Sequence, residues 1–114
     1  MTPEHVTPDD SLHVIRQCVK ERKIFWTYHV NMRMKGRFIS RQVIIDSVQN
    51  YEIIEAYPED KYLPSYLVYS SYEDFVFHVL FAVDVEGDNV RVITAYYPDL
   101  EEWEEDFKTR RRQQ

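Results

Sequence analysis

The chain has few of the residues that staple or punctuate a fold. Among 114 residues there is one cysteine, Cys18, and two glycines, Gly36 and Gly87. A lone thiol closes no intrachain disulfide, and a zinc cluster needs several Cys or His ligands at set spacing. Cys18 falls on the apolar side of a helical pattern and reads as a small core residue. So little glycine excludes low-complexity or linker-like character. No apolar run approaches the ~18 residues of a membrane-spanning helix. Met1 to Asp10 are polar and acidic, without the apolar stretch of a secretory leader. A cytoplasmic protein without membrane contact is the expectation.

What is present suits one compact domain over residues 1–114. Hydrophobic residues make up 44% of the chain, and nine tyrosines and six phenylalanines give the core bulk. The net charge of −6 conceals an asymmetry. From Ser11 to Arg41, eight lysines and arginines stand against Glu21 alone; from Gln42 to Lys108, three stand against sixteen acids. Anion binding follows the local field rather than the total, so the basic third is the candidate surface. Residues 26–41, WTYHVNMRMKGRFISR, gather one histidine and four basic residues beside three aromatic rings.

The periodicity predicts the elements. Thr7 caps a helix with Pro8, Asp9 and Asp10 in its first turn, and Leu12, Ile15, Cys18 and Val19 recur along it. It ends near Glu21 to Lys23. Ile24 to Thr27 read as a strand, and Tyr28 to Lys35 as a helix closed by Gly36. Ser40 caps another helix that buries Val43, Ile44, Ile45 and Val48 and ends at Asn50. Beyond it the period becomes two. Strands follow at Tyr51–Tyr57, Ser65–Ser70, Phe75–Val85 and Val90–Tyr97. Leu100, Trp103 and Phe107 then share one side of a last helix. Arg110 to Gln114 read as a disordered tail. Helices followed by strands predict an α+β fold, an antiparallel sheet of four to five strands packed by helices. Residues 1–23 are its N-terminal helical extension and 24–109 its core.

The register of the last hairpin stays open. A two-residue Gly87-Asp88 loop sets Asp84 opposite Arg91, a structural pairing. A three-residue loop puts His78 and Tyr96 on one face, a pairing suited to catalysis.

The stretch from His29 through Arg33-Met34, Arg37 and Ile39-Ser40 to Val43 resembles the start of a bacterial family called domain of unknown function 4258. Phe77 to Asp84, Val92 to Asp99 and a Tyr96-x-Pro98 followed after four residues by Trp103 resemble its end. The likeness runs from about Ile24 to Trp103. Gln42 departs from it, because an acid is more usual there. The family's element order is similar to RelE-type and MqsR-type toxins, small endoribonucleases that cleave messenger RNA. The resemblance therefore implies a RelE-like architecture, a toxin-antitoxin role and a YgiT-type zinc-finger antitoxin as partner.

Metal-independent RNA cleavage needs a proton acceptor, a proton donor, cations on the phosphate and a base held out of its stack. His29, His78 and Tyr96 are the candidate catalytic residues. Arg33, Arg37 and Arg41 are candidate phosphate ligands, with Trp26 as a stacking surface. His29, Arg33 and Arg37 recur every four residues, a helical face. No metal-ligand cluster and no cofactor motif is evident. The competing reading is a binding module without catalysis, docking its basic surface on RNA backbone or on an acidic protein. In that reading Arg33 and Arg37 pair with acids, and His78 is a hydrogen-bonded core residue.

Overall fold

The computed structural model describes residues 8–27 and 39–112. Helix α1 spans Pro8–Lys20, strand β1 Ile24–Trp26 and helix α2 Arg41–Asp46. A 3₁₀ turn at Val48–Asn50 leads into β2, Glu52–Tyr57. Strands β3 (Ser65–Tyr72), β4 (Phe75–Asp84) and β5 (Asn89–Tyr96) follow. The Thr7 cap and the expected helix at Tyr28–Lys35 lie outside the described residues.

Local chemistry sets the helix ends. Arg22 sits at φ 63°, and Lys23 N–H and Arg22 N–H donate to the Cys18 and Val19 carbonyls. That is a Schellman closure with arginine in the left-handed position usually held by glycine. Ser40 caps α2 as expected, its Oγ accepting from Val43 N–H at 3.0 Å. The expected helix through Asn50 breaks at Ser47, whose hydroxyl donates to the Ile44 carbonyl. Such side-chain bonds compete with continuation of the α-helix.

The sheet has five strands in the order β1-β5-β4-β3-β2. Four of them run antiparallel, but β1 pairs parallel to β5, Ile24 with Val90 and Trp26 with Val92. The sheet is therefore mixed, where a purely antiparallel one was expected. The reason is that β1 and β2 occupy opposite edges, so β1 takes a partner far along the chain. One face meets α1 and α2. Ile15, Val19, Ile44, Val68, Phe77, Phe81, Val90 and Val92 form the core there. Arg16 locks α1 over it by donating to the Tyr51 carbonyl at 2.9 Å.

The expected last helix does not form. Asp99 accepts from Glu101 and Glu102 N–H, which makes a single turn. Asp106 accepts from Lys108 and Thr109 N–H, closing a second turn. Trp103 and Arg110 then pair in an antiparallel bridge. The apolar spacing suits a helix, but local carboxylate bonds to the backbone win. Residues 98–112 become a strap across the sheet face opposite α1. Arg110 and Arg111, expected in a disordered tail, are bonded parts of that strap.

Candidate functional site

Two neighbourhoods collect the candidate residues. The first lies beneath the strap. His78 of β4 faces Tyr96 of β5 directly. The connecting loop is four residues long, Val85 to Asp88, since Asp84 pairs with Asn89. A bulge shifts the ladder between Leu80 and Phe81, making Ile93 the extra residue. This one insertion flips the side-chain alternation of β5. It lets Arg91 reach Asp84 at 3.6 Å while Tyr96 still meets His78. The Asp84–Arg91 ion pair, now diagonal because Asp84 stands opposite Asn89 and Arg91 opposite Ala82, therefore coexists with the His78–Tyr96 pair.

His78 is fully buried. Its Nε2 lies 2.7 Å from the Phe107 carbonyl and its Nδ1 3.2 Å from the Tyr96 hydroxyl. A carbonyl only accepts, so Nε2 carries the proton and Nδ1 accepts from Tyr96. Trp103, also fully buried, stands edge-on to the imidazole at 4.5 Å. Phe107 holds φ 56°, an expensive conformation for an aromatic residue, and its carbonyl is the one that meets Nε2. Burial pushes the His78 pKa down, against the opposing pull of the Phe107 carbonyl. Burial pushes the Tyr96 hydroxyl up to about 12. Arg110 closes the cluster with a two-armed hydrogen bond to Glu55 at 2.9 and 3.0 Å, its guanidinium 4.5 Å over Trp103. That bond depresses the Glu55 pKa. The histidine is neutral, and both ring nitrogens are engaged. A proton shuttle needs a ring nitrogen within reach of substrate, and this arrangement offers none.

The second neighbourhood is the basic corner. Trp26 packs partly into the core, and Thr27 N–H donates to the Val92 carbonyl at 3.3 Å. Exposed Arg41, at the start of α2, lies 5.1 Å over the Trp26 ring. Two of the expected RNA-binding residues thus meet as a cation–π pair. His29, Arg33 and Arg37 fall between these anchors in sequence and lie outside the described residues.

The chain matches the family described as Domain of unknown function (DUF4258) over residues 26–97. It belongs to that family. No curated protein and no solved structure matches it. The DUF4258 match begins at Trp26, the ring under Arg41, and ends one residue past β5. Helix α1 and the strap lie outside it. Among the described residues no three His, Cys, Asp or Glu side chains group as metal ligands. No helix among them is long and apolar enough to cross a membrane.

Sequence reasoning missed three neighbours of His78 in this DUF4258 member. Glu55, Arg110 and the Phe107 carbonyl surround His78, yet nothing local signals that they meet. It also missed a cleft where Tyr72, Phe75 and Tyr97 gather beside α2. A signal for the cleft did exist: two residues separate Tyr72 from Phe75, which sets the two rings opposite each other across a tight turn.

Proposed function

We propose that this chain is an RNA-directed, toxin-like module whose basic third grips the backbone of single-stranded RNA without catalysis by His78. The observation that carries this reading is the Arg41–Trp26 pair at the ends of the basic stretch. An arginine on an exposed ring corner joins a phosphate ligand to a stacking surface, the combination that single-stranded nucleic acid requires. Arg33 and Arg37 extend the same charge along the chain. The RelE- and MqsR-like element order supports a toxin role in the cytoplasm. A YgiT-type antitoxin would then compete with RNA for the basic face.

A second reading keeps cleavage: a metal-independent endoribonuclease with His29 as the proton acceptor and Arg33 and Arg37 on the phosphate. The four-residue spacing of these three side chains favours it.

One experiment separates the two. Labelled single-stranded RNA is titrated with the protein in EDTA across a salt series, and the same samples are run on a denaturing gel. Binding should weaken steeply with salt, and Arg41→Ala should lower the salt slope by about 0.7. Intact RNA at saturation supports the binding module. Cleavage that disappears in the His29→Ala, Arg33→Ala double variant supports the enzyme. Salt-independent affinity, or none at low salt, rejects both.

A further inference from the structure

The cleft beside α2 has a volume of about 270 Å³. Its floor is Ile39 and Phe77, and Tyr72, Phe75 and Tyr97 form its aromatic walls. Phe75 is 60% exposed. Its ring lies 6.4 Å from that of Tyr97 at an interplanar angle of 57°, so the two are not stacked on each other. Ser40 also lines the cleft, and the next residue is Arg41. The cleft therefore opens where the basic stretch ends. Glu73 stands at its lip, held at φ 55° in the turn between β3 and β4. It is the one charged side chain among the described lining residues.

We infer that this cleft takes one unstacked nucleobase of a single-stranded RNA, with guanine preferred. The inference rests on the RNA-binding reading above and adds to it where a base goes and which one. Aromatic walls hold any base through its π-face. Arg41, the residue after Ser40, supplies a cation for a flanking phosphate. The choice among bases falls to Glu73, since an ionised carboxylate only accepts hydrogen bonds. Guanine presents two adjacent donors on its Watson–Crick edge, the N1–H and the N2 amino group, which match the two oxygens. Adenine and cytosine offer one amino group each. Uracil offers a single N3–H flanked by two carbonyl oxygens that a carboxylate repels.

The test uses the full chain and single-stranded RNA oligonucleotides of equal length, otherwise uridine, carrying at one central position guanine, uracil or no base. Equal length keeps the phosphate contribution constant. Fluorescence anisotropy should rank guanine tightest and the abasic strand weakest. Phe75→Ala, at an exposed position that leaves folding intact, should weaken the guanine strand about fivefold or more, the usual effect of removing one stacking ring. Glu73→Gln should bring guanine and uracil strands to equal affinity without weakening the uracil strand. Equal affinity for every strand, unchanged by Phe75→Ala while Arg41→Ala still weakens binding, overturns the cleft and leaves RNA binding standing. An unaltered guanine preference in Glu73→Gln overturns the role of that carboxylate. No binding of any strand at low salt overturns the RNA reading and the cleft with it.

Discussion

Among the described residues arginine lies over tryptophan twice, and the two pairs behave differently. Arg110 over Trp103 is wired into the fold: the ring is fully buried against His78, and the guanidinium is bonded through two arms to Glu55. Arg41 over Trp26 stands at a corner, its cation exposed and its ring only partly covered. The same pair of residue types thus makes a clamp in one place and a presented surface in the other. What separates them is the far side of the ring. Trp103 backs onto a closed hydrogen-bonded histidine, and Trp26 is only partly covered where it packs against the main core. A residue type suited to phosphate is therefore a weak guide until its surroundings are known.

Substitutions should break this contrast in a definite order. Trp103→Ala should have the largest effect, a loss of about 3–5 kcal/mol of stability from a buried indole. Urea denaturation would measure it, and a loss below about 1 kcal/mol would mean that the strap is not docked.

His78→Leu comes next. It strands the Phe107 carbonyl and the Tyr96 hydroxyl, at a cost of about 1–3 kcal/mol, while RNA affinity per folded molecule stays constant. The same residue sets a pH dependence. Its folded pKa lies below the ordinary 6.5, so the unfolded chain takes up the proton first as pH falls. Stability should decline from about that value downward, until folded His78 itself protonates. Glu55 adds a separate decline at lower pH, as its depressed carboxyl protonates below 4.5. Urea midpoints measured across pH should lose the upper decline in His78→Leu and keep the lower one. An unchanged upper decline would place the titrating group elsewhere.

The smallest effect separates the two arginines. Arg110→Ala should cost about 1 kcal/mol, because the guanidinium is itself half-exposed, which screens its bond to Glu55, and its packing on Trp103 also goes. Arg41→Ala should stay within about 0.5 kcal/mol of the parent and show its effect in RNA binding. Equal losses in thermal or urea melts would make the corner a second clamp.

Much of the architecture was readable because it depends on near neighbours. Ser40 before Val43 marks a helix start, and the alternation from Tyr51 onward marks strands. The last helix misled for the same reason. Leu100, Trp103 and Phe107 have helical spacing, but Asp99 and Asp106 fold the backbone into turns by bonding it locally. The register of β4 and β5 was undecidable in advance, since it depends on a bulge at Ile93 that no turn residue announces. The pairing of His78 with Tyr96 was foreseen as one of two alternatives. That it would be closed off by Phe107, Trp103 and Arg110 was not, because those contacts span the length of the C-terminal segment.

By itself the sequence determined the helix before Lys20, the Ser40 helix start, the strands beyond Asn50, the α+β class and the concentration of positive charge up to Arg41. These follow from period, capping and composition, which act over a few residues. Only the tertiary structure decided that β1 runs parallel to β5, that His78 is sealed while the Trp26 corner stays open, and that Tyr72, Phe75 and Tyr97 meet in one cleft. Those outcomes depend on contacts between distant segments, whose free energy is settled by packing of the whole chain rather than by any window of it.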